Sequence, residues 1–233
     1  MFDAIAPRYD FLNRLLSLGI DRRWRKKAVA RLRVPENGRV LDMACGTADM
    51  ALEIARQYPR TAEIVGVDIS THMLAIARRK IEAAGEAERI RLLDGSCEAI
   101  PASDGVFDGA VIAFGIRNVG DRRKGLHELR RVLKPDASLI VLEFSRPRSP
   151  LFQKIFNLYF YRILPRIGAL FSRRSAYLYL PQSVAEFPEP TRFAEMLAEA
   201  GFGPVLHREL SWGIVSLFEA TPVIKISGDG LLG

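Results

Sequence analysis

Arg39-Val40-Leu41-Asp42-Met43-Ala44-Cys45-Gly46-Thr47-Ala48-Asp49 is the stretch whose reading decides the fold. Its first five residues form the short apolar run expected of a strand buried on both faces. Small residues follow, and a helical pattern then runs from Asp49 to Tyr58, where Pro59 stops it. A strand that feeds a tight small-residue loop and then a helix is the opening unit of a parallel sheet.

The same order repeats downstream. Glu63–Asp68 has strand character, Thr71–Ala84 is helical and closed by Gly85, and Arg89–Leu93 is a third strand. Asp108–Ala113 is a fourth strand, preceded by the turn Ser103-Asp104-Gly105. Arg122–Leu133 reads as a helix stopped by Pro135, and Ser138–Phe144 as a fifth strand. Strand alternating with helix in this way predicts an α/β fold with a doubly wound, mostly parallel sheet. Upstream, residues 1–34 read as helical, ending in the basic cluster Arg22-Arg23-Trp24-Arg25-Lys26-Lys27 before the turn Pro35-Glu36-Asn37-Gly38. At the far end a helix at Pro190–Ala200 precedes strand-like runs at Pro204–Glu209 and Gly213–Ala220.

The 233 residues are 48% hydrophobic and 26% charged, which excludes disordered, collagen-like and disulfide-scaffold classes. Cys45 and Cys97 have no metal-ligand spacing and are too few for a disulfide framework, so a reducing cytoplasm is expected. No signal segment opens the chain and no run of eighteen apolar residues occurs. The net charge of +7 is concentrated. Between Phe144 and Ala185 there is no Asp or Glu but seven basic residues, Arg146, Arg148, Lys154, Arg162, Arg166, Arg173 and Arg174, among nine aromatics. Within it Phe152, Ile155, Phe156, Tyr159, Phe160, Ile163 and Leu164 recur at helical spacing.

In open α/β sheets ligands bind at the carboxyl ends of strands. The first strand leads into Gly46-Thr47-Ala48-Asp49, where small residues let backbone N–H groups approach a ligand at a helix N-terminus. One glycine is not the G-x-G-x-x-G of a dinucleotide site, which argues against a nicotinamide cofactor. Asp68 ends the second strand 22 residues after Gly46, where an acid accepts hydrogen bonds from ribose hydroxyls; the competing reading is that it caps the next helix. Together these features resemble the S-adenosylmethionine site of Rossmann-like methyltransferases. That resemblance assigns the cofactor to Asp42, Gly46, Thr47, Asp68, Ser96, Cys97 and Ala113. Ser96 and Cys97 then edge the adenine, Cys97 through its backbone, with Asp94 the alternative if the loop shifts.

Further segments narrow the resemblance. Ala113-Phe114-Gly115-Ile116-Arg117-Asn118-Val119, Arg131-Val132-Leu133-Lys134-Pro135, Leu142-Glu143-Phe144-Ser145-Arg146-Pro147 and Tyr177-Leu178-Tyr179-Leu180-Pro181-Gln182-Ser183-Val184 are similar to the ubiquinone/menaquinone biosynthesis C-methyltransferases, as is Tyr9-Asp10-Phe11-Leu12-Asn13. The resemblance covers about residues 2–221. It implies a seven-stranded class I methyltransferase fold: an N-terminal helical lid at 1–34, a methyltransferase domain at 35–221 with a helical cover insertion at about 146–188, and a tail at 222–233. There are departures: Ala48 replaces the second glycine of G-T-G-D, Asp21 stands where the signature has His, and Pro135-Asp136-Ala137 replaces P-G-G.

The implied reaction moves a methyl group from S-adenosylmethionine to a ring carbon of a polyprenyl quinol, demethylmenaquinol first and a ubiquinol precursor as the alternative, with no metal. Arg117, Tyr177 and Tyr179 are the catalytic candidates. Arg117 does not lose its proton, so its expected role is to stabilise the phenolate, with a structural ion pair as the competing reading. The competing reading for the tyrosines is packing of the cover, and for Asn118 a helix cap. A long prenyl tail stays in the bilayer, so the greasy basic segment is expected to meet an anionic membrane surface from the cytoplasm; packing inside a lid or a homodimer interface competes with this. A nucleic-acid module using Arg22–Lys27 and the 146–174 basics is disfavoured, because the aromatics follow a helical stripe rather than base-stacking spacing.

Overall fold

The computed structural model describes residues 17, 19–61, 63–147, 149, 152–154, 158 and 182–223. The first described helix, α1 (Asp21–Val29), buries Asp21, Trp24 and Ala28 on one side and leaves Arg22, Arg23, Lys26 and Lys27 exposed. There follow β1 (Arg39–Met43), α2 (Asp49–Gln57), β2 (Glu63–Asp68), α3 (Thr71–Ala83), β3 (Ile90–Asp94) and β4 (Phe107–Ala113). After a short 3-10 turn at Ile116–Asn118 come α4 (Arg122–Val132), β5 (Leu133–Phe144), α5 (Pro190–Glu199), β6 (Leu206–Leu210) and β7 (Val215–Ala220).

The seven strands form one sheet in the order β3-β2-β1-β4-β5-β7-β6. β1 to β5 are parallel, and β7 inserts antiparallel to both β5 and β6. The order reverses between β1 and β4, which is the switch point where such sheets open a crevice. Alternation along β1 sorts its side chains to two cores. Leu41 and Met43 face the layer of α4 and α5, with Leu126, Leu129, Phe193 and Leu197. Val40 faces the layer of α1, α2 and α3, with Trp24, Ala28, Ile54 and Ala77.

Among the described residues the predicted order of elements holds, with two differences. Pro135 does not end the helix, which stops at Val132 with the strand starting at Leu133. Pro135 stands exposed in a register shift, where β5 pairs through Leu133 to Phe107 and resumes at Ser138 to Gly109. Proline has no N–H to donate to a ladder, so the strand bulges there. The first strand-like run of the final pair begins later than expected, at Leu206, and the second at Val215. The Tyr9–Asn13 segment, most of the amphipathic stripe beyond Phe152, and Tyr177 and Tyr179 lie outside the described residues.

Candidate functional site

A cleft opens at the carboxyl ends of β1, β2 and β4, between the loop after β1 and the turn after β4. Gly46, Asp68, Ser96, Cys97 and Ala113, five of the seven residues assigned from sequence to the cofactor, line it. Phe114, Gly115 and Asn118 complete the wall on the β4 side.

The loop owes its shape to backbone that side chains rarely adopt. Ala44, Gly46, Ala48 and Phe114 all have positive φ, between +54° and +66°. Such conformations are costly for residues with a Cβ and gather at functional sites. At Gly46 an added Cβ would meet nothing within 4 Å, so the backbone there faces open space. At Gly115 it would stand 2.5 Å from the Ala44 Cβ, so glycine is what lets the two walls approach.

Asp68 closes the loop onto β2. One carboxylate oxygen accepts the Gly46 N–H at 2.8 Å and the other the Ser70 N–H at 2.9 Å. Burial, with the nearby Asp94 charge, pushes its pKa up against those backbone donors. The helix-cap reading of Asp68 is answered by its neighbour, since Ser70 caps α3 by accepting the Met73 N–H. A carboxylate has about four acceptor positions, so Asp68 keeps accepting capacity beyond its backbone donors Gly46, Ser70 and Ile69.

Asp42 and Thr47 stand behind the loop rather than in the cleft. Asp42 is 1% exposed and points into the α1–α2–α3 layer, with its Oδ2 lacking a hydrogen-bond partner. Burial first, then the Asp68 and Asp49 charges, raise its pKa to about 8. The Thr47 hydroxyl accepts from Lys80 Nζ at 3.0 Å, and Lys80 also pairs with Asp49 at the start of α2. Arg25 of α1 reaches Asp49 at 3.7 Å and pairs with Asp21. Asp21 also accepts from Ser17 and is buried, so this departure from the signature is a structural acid bracing α1.

The loop after β3 carries the other edge. Ser96 Oγ accepts the Glu98 N–H at 3.1 Å, leaving its own O–H available to donate. The Cys97 thiol turns under α4, 3.8 Å from the Gly125 carbonyl, and burial pushes its pKa up to about 12. Its thiol is therefore protonated and turned toward α4. Asp94 is exposed and does not line the cleft. Arg131 of α4 donates to the Ile100 and Ala102 carbonyls, and Glu128 accepts the Ile100 N–H, so α4 fixes the loop from behind.

Arg117 sits in the 3-10 turn and is buried. Its Nη1 donates to Glu143 Oε1 at 2.7 Å and to the Phe114 carbonyl, while its backbone N–H meets Glu143 Oε2 at 3.1 Å. Its guanidinium lies 5.5 Å from the Phe144 ring centre, and its Nε has no partner. The ion pair anticipated as the competing reading is thus present. Arg117 itself does not line the cleft; it is buried in the turn beside Phe114 and Asn118, which do. Asn118 does not cap α4, which is capped by Asp121 accepting the Lys124 N–H at 3.0 Å. Sequence reading gave Asn118 no site role, although it lay inside a quoted motif. Phe114, Ile69 and Met73 were likewise missed as cleft residues, since an apolar residue in a strand-end loop carries no sign that separates cleft from core.

The model of the ubiE/COQ5 methyltransferase family matches residues 1–221. The chain is 53% identical over 225 residues to "Ubiquinone/menaquinone biosynthesis C-methyltransferase UbiE" of Geobacter sulfurreducens, covering 97% of this chain and 88% of that protein. It is 47% identical over 218 residues to "Demethylmenaquinone methyltransferase" of Thermus thermophilus, covering 93% and 97%. Among solved structures, a SAM dependent methyltransferase from Aquifex aeolicus superposes with a TM-score of 0.63 at 19% identity, covering 85% of this chain and 89% of that one. That likeness supports the fold.

Proposed function

The chain belongs to the ubiE/COQ5 methyltransferase family, and from that premise we propose that it methylates a ring carbon of a reduced polyprenyl quinone, demethylmenaquinol first, using S-adenosylmethionine. The observation that carries this is the cleft itself. A carboxylate-tipped β2 and a small-residue loop form one wall, and the turn bearing Phe114 and Asn118 forms the other, with Arg117 buried in that turn.

The residues present fit an adenosyl group. Asp68 keeps accepting capacity for a ribose hydroxyl, Ser96 has an O–H to donate, and Gly46 exposes backbone where a side chain would block approach. Asp42 and Thr47 act through the loop, holding its shape from behind. S-adenosylmethionine, when bound, supplies an electrophilic methyl group on a sulfonium.

The chain's task on the acceptor side is to favour the phenolate. A ring carbon becomes nucleophilic only as the adjacent phenol, with an ordinary pKa near ~10, gives up its proton. Arg117 is permanently protonated, so it acts by charge and hydrogen bonding and not as the base. Glu143 shares that charge and holds the guanidinium still, which limits the electrostatic gain while fixing its geometry. The ring carbon gains the methyl group and the ring loses one proton, which passes to water; Tyr177 and Tyr179 are proposed to hold that water.

The tail sets the location. Each buried CH₂ contributes about 0.8 kcal/mol, so a many-unit prenyl tail stays in the bilayer and the enzyme works at the membrane surface from the cytoplasm. No described helix is long and apolar enough to cross a membrane. The test is methyl transfer to demethylmenaquinol and to a ubiquinol precursor assayed in parallel in detergent. Turnover of the naphthoquinol is expected; donor binding with neither quinol methylated would refute the substrate assignment.

A further inference from the structure

The most exposed described aromatic sits on a hairpin that is tied to α1, the helix that exposes Arg22, Arg23, Lys26 and Lys27. The β6–β7 hairpin turns through Ser211, Trp212 and Gly213, all at positive φ, and Trp212 is 70% exposed. A bulky residue in that backbone region is an outlier, and here the strain holds an indole out in solvent. Trp212 stacks on Phe152 with ring centres 4.9 Å apart and planes 9° from parallel. Phe152 lies within the acid-free basic segment, and Lys154 beside it is exposed.

Because β7 begins opposite Phe144, the end of β5, this hairpin tip lies at the carboxyl edge of the sheet, the edge that carries the cleft. The neighbouring Ser211 accepts a hydrogen bond from Trp24 Nε1 of α1 at 2.8 Å. Trp24 in turn packs against Phe114, a wall of the cleft, with ring centres 6.1 Å apart. The hairpin is thereby tied to the helix that exposes Arg22, Arg23, Lys26 and Lys27.

We propose that the Trp212 hairpin tip and the cationic face of α1 together form a docking surface for an anionic lipid bilayer, placed so that the cleft opens beside the membrane. This rests on the prenyl-quinol reading above and names the residues that would bring the cleft to its substrate. The chemistry selects this occupant. An indole with an apolar body and a polar edge suits the headgroup level, and the cations exposed on the helix tied to its hairpin suit anionic headgroups. A protein partner would not require four exposed cations on the helix that anchors the hairpin. A nucleic acid would satisfy the cations but would find Trp212 already stacked on Phe152.

The test uses the full chain and vesicles of phosphatidylglycerol mixed with phosphatidylcholine, brominated in the acyl chains. The protein has only two tryptophans, and Trp24 is 5% exposed, so quenching by bromolipid reports on Trp212. Quenching and a blue shift are expected with anionic vesicles and lost in Trp212→Phe. Each surface cation near an anionic membrane contributes about fivefold in partitioning, so Lys26→Ala with Lys27→Ala is expected to weaken binding by about twentyfold. Binding without quenching, equal binding to pure phosphatidylcholine, or no vesicle binding would each overturn the surface, as would RNA that binds more tightly through the same cations and displaces the protein from the vesicles. Turnover of a quinol with a short, water-soluble tail separates the two claims. Trp212→Phe should leave it unchanged, and if the wild type fails on that quinol while Trp212 is still quenched, the surface stands and the proposed reaction falls.

Discussion

Replacing Glu143 by alanine puts the Arg117–Glu143 pair to the sharpest use. Glu143 is fully buried at the end of β5 and accepts three donors: Arg117 Nη1 at 2.7 Å, the Arg117 N–H at 3.1 Å and the Phe144 N–H at 2.8 Å. Alanine leaves a buried guanidinium without its counter-charge and two backbone donors without an acceptor. Breaking a buried ion pair from one side costs about 3–5 kcal/mol. For a chain of this size that corresponds to a fall in Tm of about 6–20 °C. The partner variant is Arg117→Met with Glu143→Gln. It removes both charges and leaves an amide oxygen for one of the two backbone N–H groups, with the amide NH2 against the other, so only part of the lost stability should return. Turnover should not return, because the guanidinium is gone. The assay is thermal melting beside methyl transfer at saturating donor, with donor affinity measured by calorimetry. A loss below about 1 kcal/mol for Glu143→Ala would refute the energetic argument. Recovery of turnover in the double variant would show that Arg117 takes no part in the reaction.

Three further outcomes follow from the same geometry. The Asp42 pKa of about 8 lies above its unfolded value, so its contribution to stability is fully present below pH ~4 and is lost as pH rises toward 8. The unfolding free energy should therefore fall more steeply in the wild type than in Asp42→Asn, by about 1.4 kcal/mol per pH unit across that window; parallel slopes would contradict the assignment. Gly115→Ala should cost about 1–3 kcal/mol and weaken donor binding, because its Cβ would meet the Ala44 Cβ at 2.5 Å; unchanged calorimetry would show that this approach does not shape the cleft. Asp68→Asn should weaken donor binding by about tenfold to a hundredfold, since it replaces a charged acceptor and sets an amide donor against the Gly46 or Ser70 N–H. Retained affinity would remove the ribose role.

The sheet was readable in the sequence because each strand is an apolar run and each βα loop carries its own stop signals. Arg39–Asp49 alone predicted strand, loop and helix, and the structure places all three there. Pro135 misled because a proline that ends a helix and one that makes a strand bulge look alike along the chain; only the partner strand distinguishes them. In the site, Gly46, Asp68 and Ser96 were legible because their chemistry is tied to strand ends. Asp42 was readable as an acid at the end of a strand but not as one facing away from the cleft, since the face it takes depends on the pleat relative to layers that are distant in sequence. Lys80, which braces Thr47 and Asp49 from α3, gave no signal: a lysine in a helix is ordinary until its neighbours are known. Trp212 was unreadable for the same reason. A tryptophan between strands usually belongs to a core, and its exposure is set by the left-handed turn that carries it.

The central claim is the transfer of a methyl group to carbon. S-adenosylmethionine labelled with deuterium in its methyl group, incubated with the protein and reduced demethylmenaquinol, would be followed by mass spectrometry of the extracted quinone. The account predicts a product carrying the intact labelled methyl on the ring, one for each S-adenosylhomocysteine released. Label recovered as a phenolic ether, or S-adenosylhomocysteine released with no labelled quinone, would contradict it.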